Sequence, residues 1–276
     1  MTLSVHTNQS ALIALQNLNK TNSNLTDVQN RISTGLKIND AKDNASVWSI
    51  AQGQRADIGA LGAVKMSLDR ATSITDVTLA AGQSVSDLMV EMKAKVVAAM
   101  DPSIDTQSRT ALNSDFQSLM KQISQVINSA TFDGANILNG SQPADIQFIA
   151  SADAASFITL SVKDMTLSGS IISLGFAESL GTVTAAATAL SLLNASLTAV
   201  NQALGEIGSQ AKQIEAHNTF VTKLNDVLET GVGHLVDADV AKESARLQAL
   251  QVQQQLGAQA LSIANTAPQI ILSLFK

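Results

Sequence analysis

Leu193, Leu197, Val200, Leu204, Ile207, Ala211, Ile214, Asn218, Val221, Asn225 and Leu228 succeed one another in steps of four and three. Such steps keep one face of an α-helix turned toward a partner, as in the seam of a coiled coil. A seam this long predicts extended helices packed side by side. The segment "GVGHLVDAD" is expected to interrupt the helix at its C-terminal end.

The same signal recurs near the start. Ala11, Ala14, Leu18, Thr21, Leu25, Val28 and Ile32 form a heptad stripe, predicting a helix over about residues 3–33. "STGLKINDAKDN" then breaks the pattern with Gly35 and several turn formers. A second helix is predicted from about Ala45 to Met100, its buried side marked by Val47, Ile50, Ile58, Leu61, Leu68, Leu79, Leu88, Met92 and Val96. Gly53, Gly59, Gly62 and Gly82 are expected to weaken it locally or to allow close helix approach. A third helix is expected over about 105–130, through Leu112, Phe116, Leu119 and Ile123. "DIQFIA" and "SFITLSV" alternate and are separated by "SADAA", which predicts a β-hairpin within about 144–163.

The last helix carries two stripes. One is Val240, Leu247, Leu250, Leu261 and Ala264, with Gln254 and Gly257 in register; the other is Ala245, Ala249, Val252, Leu256 and Ile263. Two stripes require two partners, and the first helix can cover only one. From Leu247 to Phe275 there is no Asp, Glu, Lys or Arg, but Gln and Asn interrupt the leucines throughout. A membrane span needs roughly 20 mostly apolar residues, so a bilayer is a poor partner for this segment. Its polar side chains suit hydrogen bonding across packed helices without the desolvation cost of charge. Asp237 and Asp239 are expected as N-cap and first-turn acids, Glu243 is expected to pair with Arg246, and Pro268 to bend or break the helix while freeing the Ala264 carbonyl.

The fold class that follows is mainly α. A long antiparallel helical bundle or coiled coil is built from both chain ends, with a small β-hairpin excursion in the middle.

Composition narrows the function. The net charge is −6 and no basic run occurs, which disfavours nucleic acid. Aromatics are only 3%, too few for a base-stacking surface, and there is no Cys to support thiolate chemistry. His6, His217 and His234 are scattered, and no H-E-x-x-H, phosphate-binding loop or G-x-S-x-G elbow occurs. No catalysis, cofactor or metal is expected. The N-terminal segment lacks the basic start and apolar core of a secretory signal.

Several segments resemble bacterial flagellin, above all the short alphaproteobacterial type such as that of Caulobacter. "RISTGLKINDAKDN", with Arg31, Gly35, Asp43 and Asn44, is similar to the family's N-terminal signature. "TFDGANIL", with Phe132 and Gly134, is similar to its central motif. "LVDADVAKESARLQALQVQQQLGAQALSIANTAPQIILSLF", with Asp237, Asp239 and Pro268, is similar to its C-terminal signature.

The resemblance implies a filament subunit for swimming motility. It implies a discontinuous terminal domain, residues 1–44 plus 232–276, lining the inner tube, and an outer helical domain, residues 45–231, that carries the hairpin, with no large variable outer domain. Assembly would rest on Leu18, Leu25, Ile32, Leu247, Leu250, Val252, Leu256, Leu261, Ile263, Leu274 and Phe275. Implied partners are copies of itself or other flagellins, the filament cap and hook-junction proteins, and the flagellar secretion apparatus with a chaperone. The implied location is the extracellular flagellum, reached without a cleavable signal. Serine and threonine near the expected outer surface are candidates for O-glycosylation. "LMVEMKA" has Val90 and Met92 where receptor-activating flagellins carry arginines, implying weak activation of the Toll-like innate receptor. A hook–filament junction protein of the same bundle type is the alternative, with a monomeric helical binding module more remote.

Overall fold

The computed structural model describes the backbone of residues 8–274 and the side chains of residues 8–266. Among these, the elements are α1 (Gln9–Thr34), α2 (Ala45–Ala99), α3 (Thr106–Ser129), β1 (Ile146–Ile149), β2 (Phe157–Leu160), α4 (Val183–Val236) and α5 (Val240–Leu274). The chain divides into two compact units, one of residues 1–56 and 227–276, the other of residues 57–226.

In the 57–226 unit the α4 seam forms the axis of the core. Leu193, Val200, Ile207, Ile214 and Val221, spaced by seven, are all buried. The principal cluster joins the first three of these to Met89, Met92 and Val96 of α2 and to Phe116, Met120, Ile123 and Ile127 of α3. By length and composition α4 could cross a membrane, with a mean hydropathy of 1.5 over its most apolar window. Its heptad residues are instead committed to this core. Gly82 allows a close approach: a Cβ there would lie 2.2 Å from Leu204 Cδ2. By contrast, Ile50, which the periodicity places on the buried side of α2, is 52% exposed. The stripe drifts around the helix as 3.6-residue geometry departs from a strict repeat of seven.

The turn between α2 and α3 is closed from inside. Arg109 is buried and donates to the Ala99 and Asp101 carbonyls, occupying backbone acceptors that the end of α2 leaves open. Asp105 N-caps α3, accepting from Ser108 N at 2.7 Å. β1 and β2 pair antiparallel, with Ile146 opposite Leu160 and Phe148 opposite Ile158. His217 anchors the hairpin's far end, its Nε2 lying 2.7 Å from the Ala150 carbonyl oxygen.

The "FDGA" motif is a two-residue turn. Phe132 and Ala135 exchange both backbone hydrogen bonds, at 3.0 and 2.9 Å, while Asp133 and Gly134 take φ of 48° and 75°. Two successive positive φ values are the demand of a type I′ turn, which Asp-Gly meets. Asn136 follows it, almost fully buried. Its Nδ2 donates to the Ile127 carbonyl at 2.8 Å, closing the end of α3, and its Oδ1 accepts from Leu138 N at 2.8 Å.

Candidate assembly surface

The residues 1–56 and 227–276 unit is built around α1 and α5. α1 ends at Gly35, whose φ of 71° places it in the left-handed region and lets its N–H return to the Arg31 carbonyl. Asp43 accepts from Asn39 N at 2.9 Å, rounding the following turn, and Asn44 accepts from Val47 N at 3.1 Å as a cap on α2. α4 runs through Gly231 and Gly233 to Val236, so "GVGHLVDAD" does not interrupt it where the glycines begin. Val232 and Val236 are buried, and that burial offsets the helix-weakening effect of about 1 kcal/mol per glycine.

The chain then reverses at a short bridge. Lys37 N donates to Val236 O at 2.7 Å and Ala238 N to Gly35 O at 2.8 Å, bringing Leu36 opposite Asp237. Asp239 alone caps α5, accepting from Lys242 N at 3.1 Å. Asp237 is held in the bridge instead, and Glu243 is the acid of the first turn.

α1 and α5 pack antiparallel along one register. Arg31 meets Glu243 at 3.5 Å. Gln254 Nε2 donates to Asn22 Oδ1 at 2.8 Å. A Cβ on Gly257 would lie 3.3 Å from Leu18 Cδ1, so the glycine admits that leucine. Asn8 Nδ2 donates to the Ala264 carbonyl at 2.7 Å. The expected Glu243–Arg246 pair is replaced by Glu243–Arg31: Glu243 faces α1 and is buried, whereas Arg246 is exposed.

The site residues separate by face. Leu18, Leu25 and Ile32 on α1, and Leu247, Leu250 and Leu261 on α5, are buried or half-buried. Val252, Leu256 and Ile263 point away and are 55%, 58% and 70% exposed. Leu12, Ile13 and Leu15 of α1 are exposed too. Thus the first stripe of α5 is covered within the chain from Leu247 to Ala264, although Val240 at its start is 47% exposed, and the second stripe is uncovered. The side chains of Pro268 and Leu274, and all of Phe275, lie outside the described residues. The α5 backbone nonetheless continues as helix through Pro268 to Leu274, so the helix is not broken there. A proline removes one backbone donor from a helix, and here Asn8 serves the acceptor left without it.

In the other unit, Asp133 of the "FDGA" turn pairs with Arg70 at 3.0 Å, and Phe132 is 38% exposed. Sequence pattern did not point to Asn8, Asn22, Arg109 or Asn136. Each acts through a polar contact that leaves no trace in apolar periodicity.

These features define a class: a long-helix protein whose two ends pair as one coiled unit, with a second apolar face left open. The bacterial flagellin N-terminal helical region matches residues 5–143, and the bacterial flagellin C-terminal helical region matches residues 190–275. The chain belongs to the bacterial flagellin family.

Flagellin FljJ of Caulobacter vibrioides is 59% identical, the alignment covering 100% of this chain and 99% of that protein. A flagellin of Brucella melitensis is 41% identical, with 99% of each covered. Among solved structures, a hook-associated protein from Vibrio parahaemolyticus described as putative aligns at a TM-score of 0.60 over 71% of this chain and 100% of that one, with 11% identity. That likeness shows the fold alone.

Proposed function

We propose that this chain is a structural subunit that polymerises into the bacterial flagellar filament used for swimming. Membership of the flagellin family and full-length similarity to flagellins support this reading. The observation that carries it is the uncovered stripe Val252, Leu256 and Ile263 on a helix whose other face is already paired. The occupant we assign to it is a second copy of this chain or a related flagellin. Covering these half-exposed side chains contributes on the order of 1–2 kcal/mol each, so folding free energy is linked to polymerisation. Contacts of this kind are heterologous, and repeated without closure they build a filament rather than a ring.

Catalysis plays no part in this role. Passage through the flagellar secretion apparatus, a chaperone on the C-terminal segment, and docking to cap and hook-junction proteins complete the proposal, together with an extracellular location. The hook-junction alternative is less favoured, because the full-length relatives at 41–59% identity are flagellins.

Electron microscopy of the purified full-length chain after seeding tests the reading. Filaments that lengthen with added protein support it. A chain that stays monomeric, or that only caps the seeds, contradicts it.

A further inference from the structure

We infer that Asn8 is a clasp that ties the start of α1 to the proline-made gap in α5, fixing the axial register of the two chain ends. Two observations meet at one side chain. Asn8 is the N-cap of α1: it sits in extended conformation and its Oδ1 accepts from Ala11 N at 3.1 Å. Its Nδ2 donates to the Ala264 carbonyl at 2.7 Å, across 256 positions of sequence.

Ala264 stands four residues before Pro268. In a helix its carbonyl would accept from the N–H at position 268, and proline has none. Only one orientation of the Asn8 amide serves both neighbours, oxygen to the Ala11 donor and nitrogen to the Ala264 acceptor. The side chain is half-buried, so an unmade bond here is only partly replaced by water.

The residue type follows from the two tasks. Asp caps a helix as well as Asn does, but has no hydrogen to give. Ser and Thr bring one oxygen to both tasks. Asn alone of the preferred caps carries a separate donor and acceptor. The first turn of α1 and the stretch of α5 beyond Ala264 therefore order together. Sliding α1 by one residue would uncap one helix and orphan a carbonyl in the other.

The inference concerns the fold of a single chain, so a protein that formed no filaments would still test it. The measurement is hydrogen exchange in the full-length protein, following amides of residues 11–14 and 265–274. The variants are Asn8→Asp, Pro268→Ala and both together. Asn8→Asp is expected to leave Ala11 and Leu12 protected while speeding exchange beyond Ala264 roughly fivefold, the equivalent of one net hydrogen bond. In the Pro268→Ala background the new N–H at 268 serves Ala264, and Asn8→Asp is expected to change exchange there less than twofold. The clasp is overturned if Asn8→Asp leaves exchange beyond Ala264 unchanged. It is also overturned if the effect persists undiminished with Pro268→Ala, or if wild-type residues 265–274 show no protection.

Discussion

Arg31 and Glu243 meet at 3.5 Å between α1 and α5, and the two ends of this ion pair are unequally buried: the Glu243 side chain is 11% exposed and that of Arg31 31%. Glu243 Oε2 is buried without a hydrogen-bond partner. Removing the arginine leaves a buried carboxylate uncompensated, whereas neutralising the glutamate leaves an arginine that water reaches. Arg31→Met is therefore expected to destabilise the terminal helix pair by about 2 kcal/mol, and Glu243→Gln by less than about 1 kcal/mol. Thermal unfolding of the full-length variants checks the order. Equal losses would mean that burial of Glu243 does not govern the pair.

Gly82 is where α2 lets α4 come close. In Gly82→Ala the added Cβ would lie 2.2 Å from Leu204 Cδ2, forcing that side chain into another rotamer. The expected cost is about 1–2 kcal/mol, typical of overpacking a filled core. Leu204→Ala removes the obstacle, so the double variant should be less destabilised than the two single losses added together. Denaturant unfolding of the four proteins forms the cycle, and strict additivity would refute the close approach.

Acid should loosen the 57–226 unit locally. Asp105 is held below the ordinary carboxylate range by hydrogen bonds from the Ser108 side chain and backbone, and Asp101 by those from the Ser103 backbone and side chain. Glu206 is held down by hydrogen bonding and charge from Lys163. Folded-state values that are depressed stabilise fully above the unfolded carboxylate pKa, and that stability is lost as pH falls through the folded values. Lys95, raised by its hydrogen bond to Asp115 and by that group's charge, runs the other way: its contribution is lost as pH rises through its folded value. Exchange at the first turn of α3 should quicken as pH falls below about 4, after correction for intrinsic rates. Asp105→Asn keeps the capping oxygen but not the charge, and should flatten that dependence. An unchanged acid response in this variant would contradict the assignment.

The long helices were legible because their causes are local: periodicity exposes the α4 seam. The tight turn at Asp133–Gly134 shows itself only in the successive positive φ values of the structure. Where α4 ends was less legible: Gly231 and Gly233 read as breakers, but the burial of Val232 and Val236 carries the helix past them. The partner of Glu243 was misread for a similar reason. A helical neighbour three residues away is visible in sequence, while Arg31 is visible only once α1 lies against α5. The two stripes of α5 could be read from spacing, and the second, with Val252, Leu256 and Ile263, is the exposed one. The service Asn8 gives to Ala264 could not, since no local pattern links residues so far apart.

A truncation separates the two units. Deleting residues 247–276 should abolish filaments while leaving the 57–226 core, centred on α2, α3 and α4, cooperatively folded. Electron microscopy and thermal unfolding read the two halves of that statement. Filaments from the truncated chain would remove the assembly role from α5.

The most direct test of the assembly account is a charge placed on the uncovered stripe. Ile263 is 70% exposed in the chain, so Ile263→Asp should leave helicity and unfolding midpoint close to wild type. If a second copy covers that position, burying the unpaired carboxylate costs several kcal/mol, enough to raise the critical concentration for polymerisation at least a hundredfold. Sedimentation of polymer from Ile263→Asp, seeded and followed by electron microscopy, gives the answer. The account predicts soluble, folded protein without filaments. Filaments at the wild-type critical concentration would contradict it.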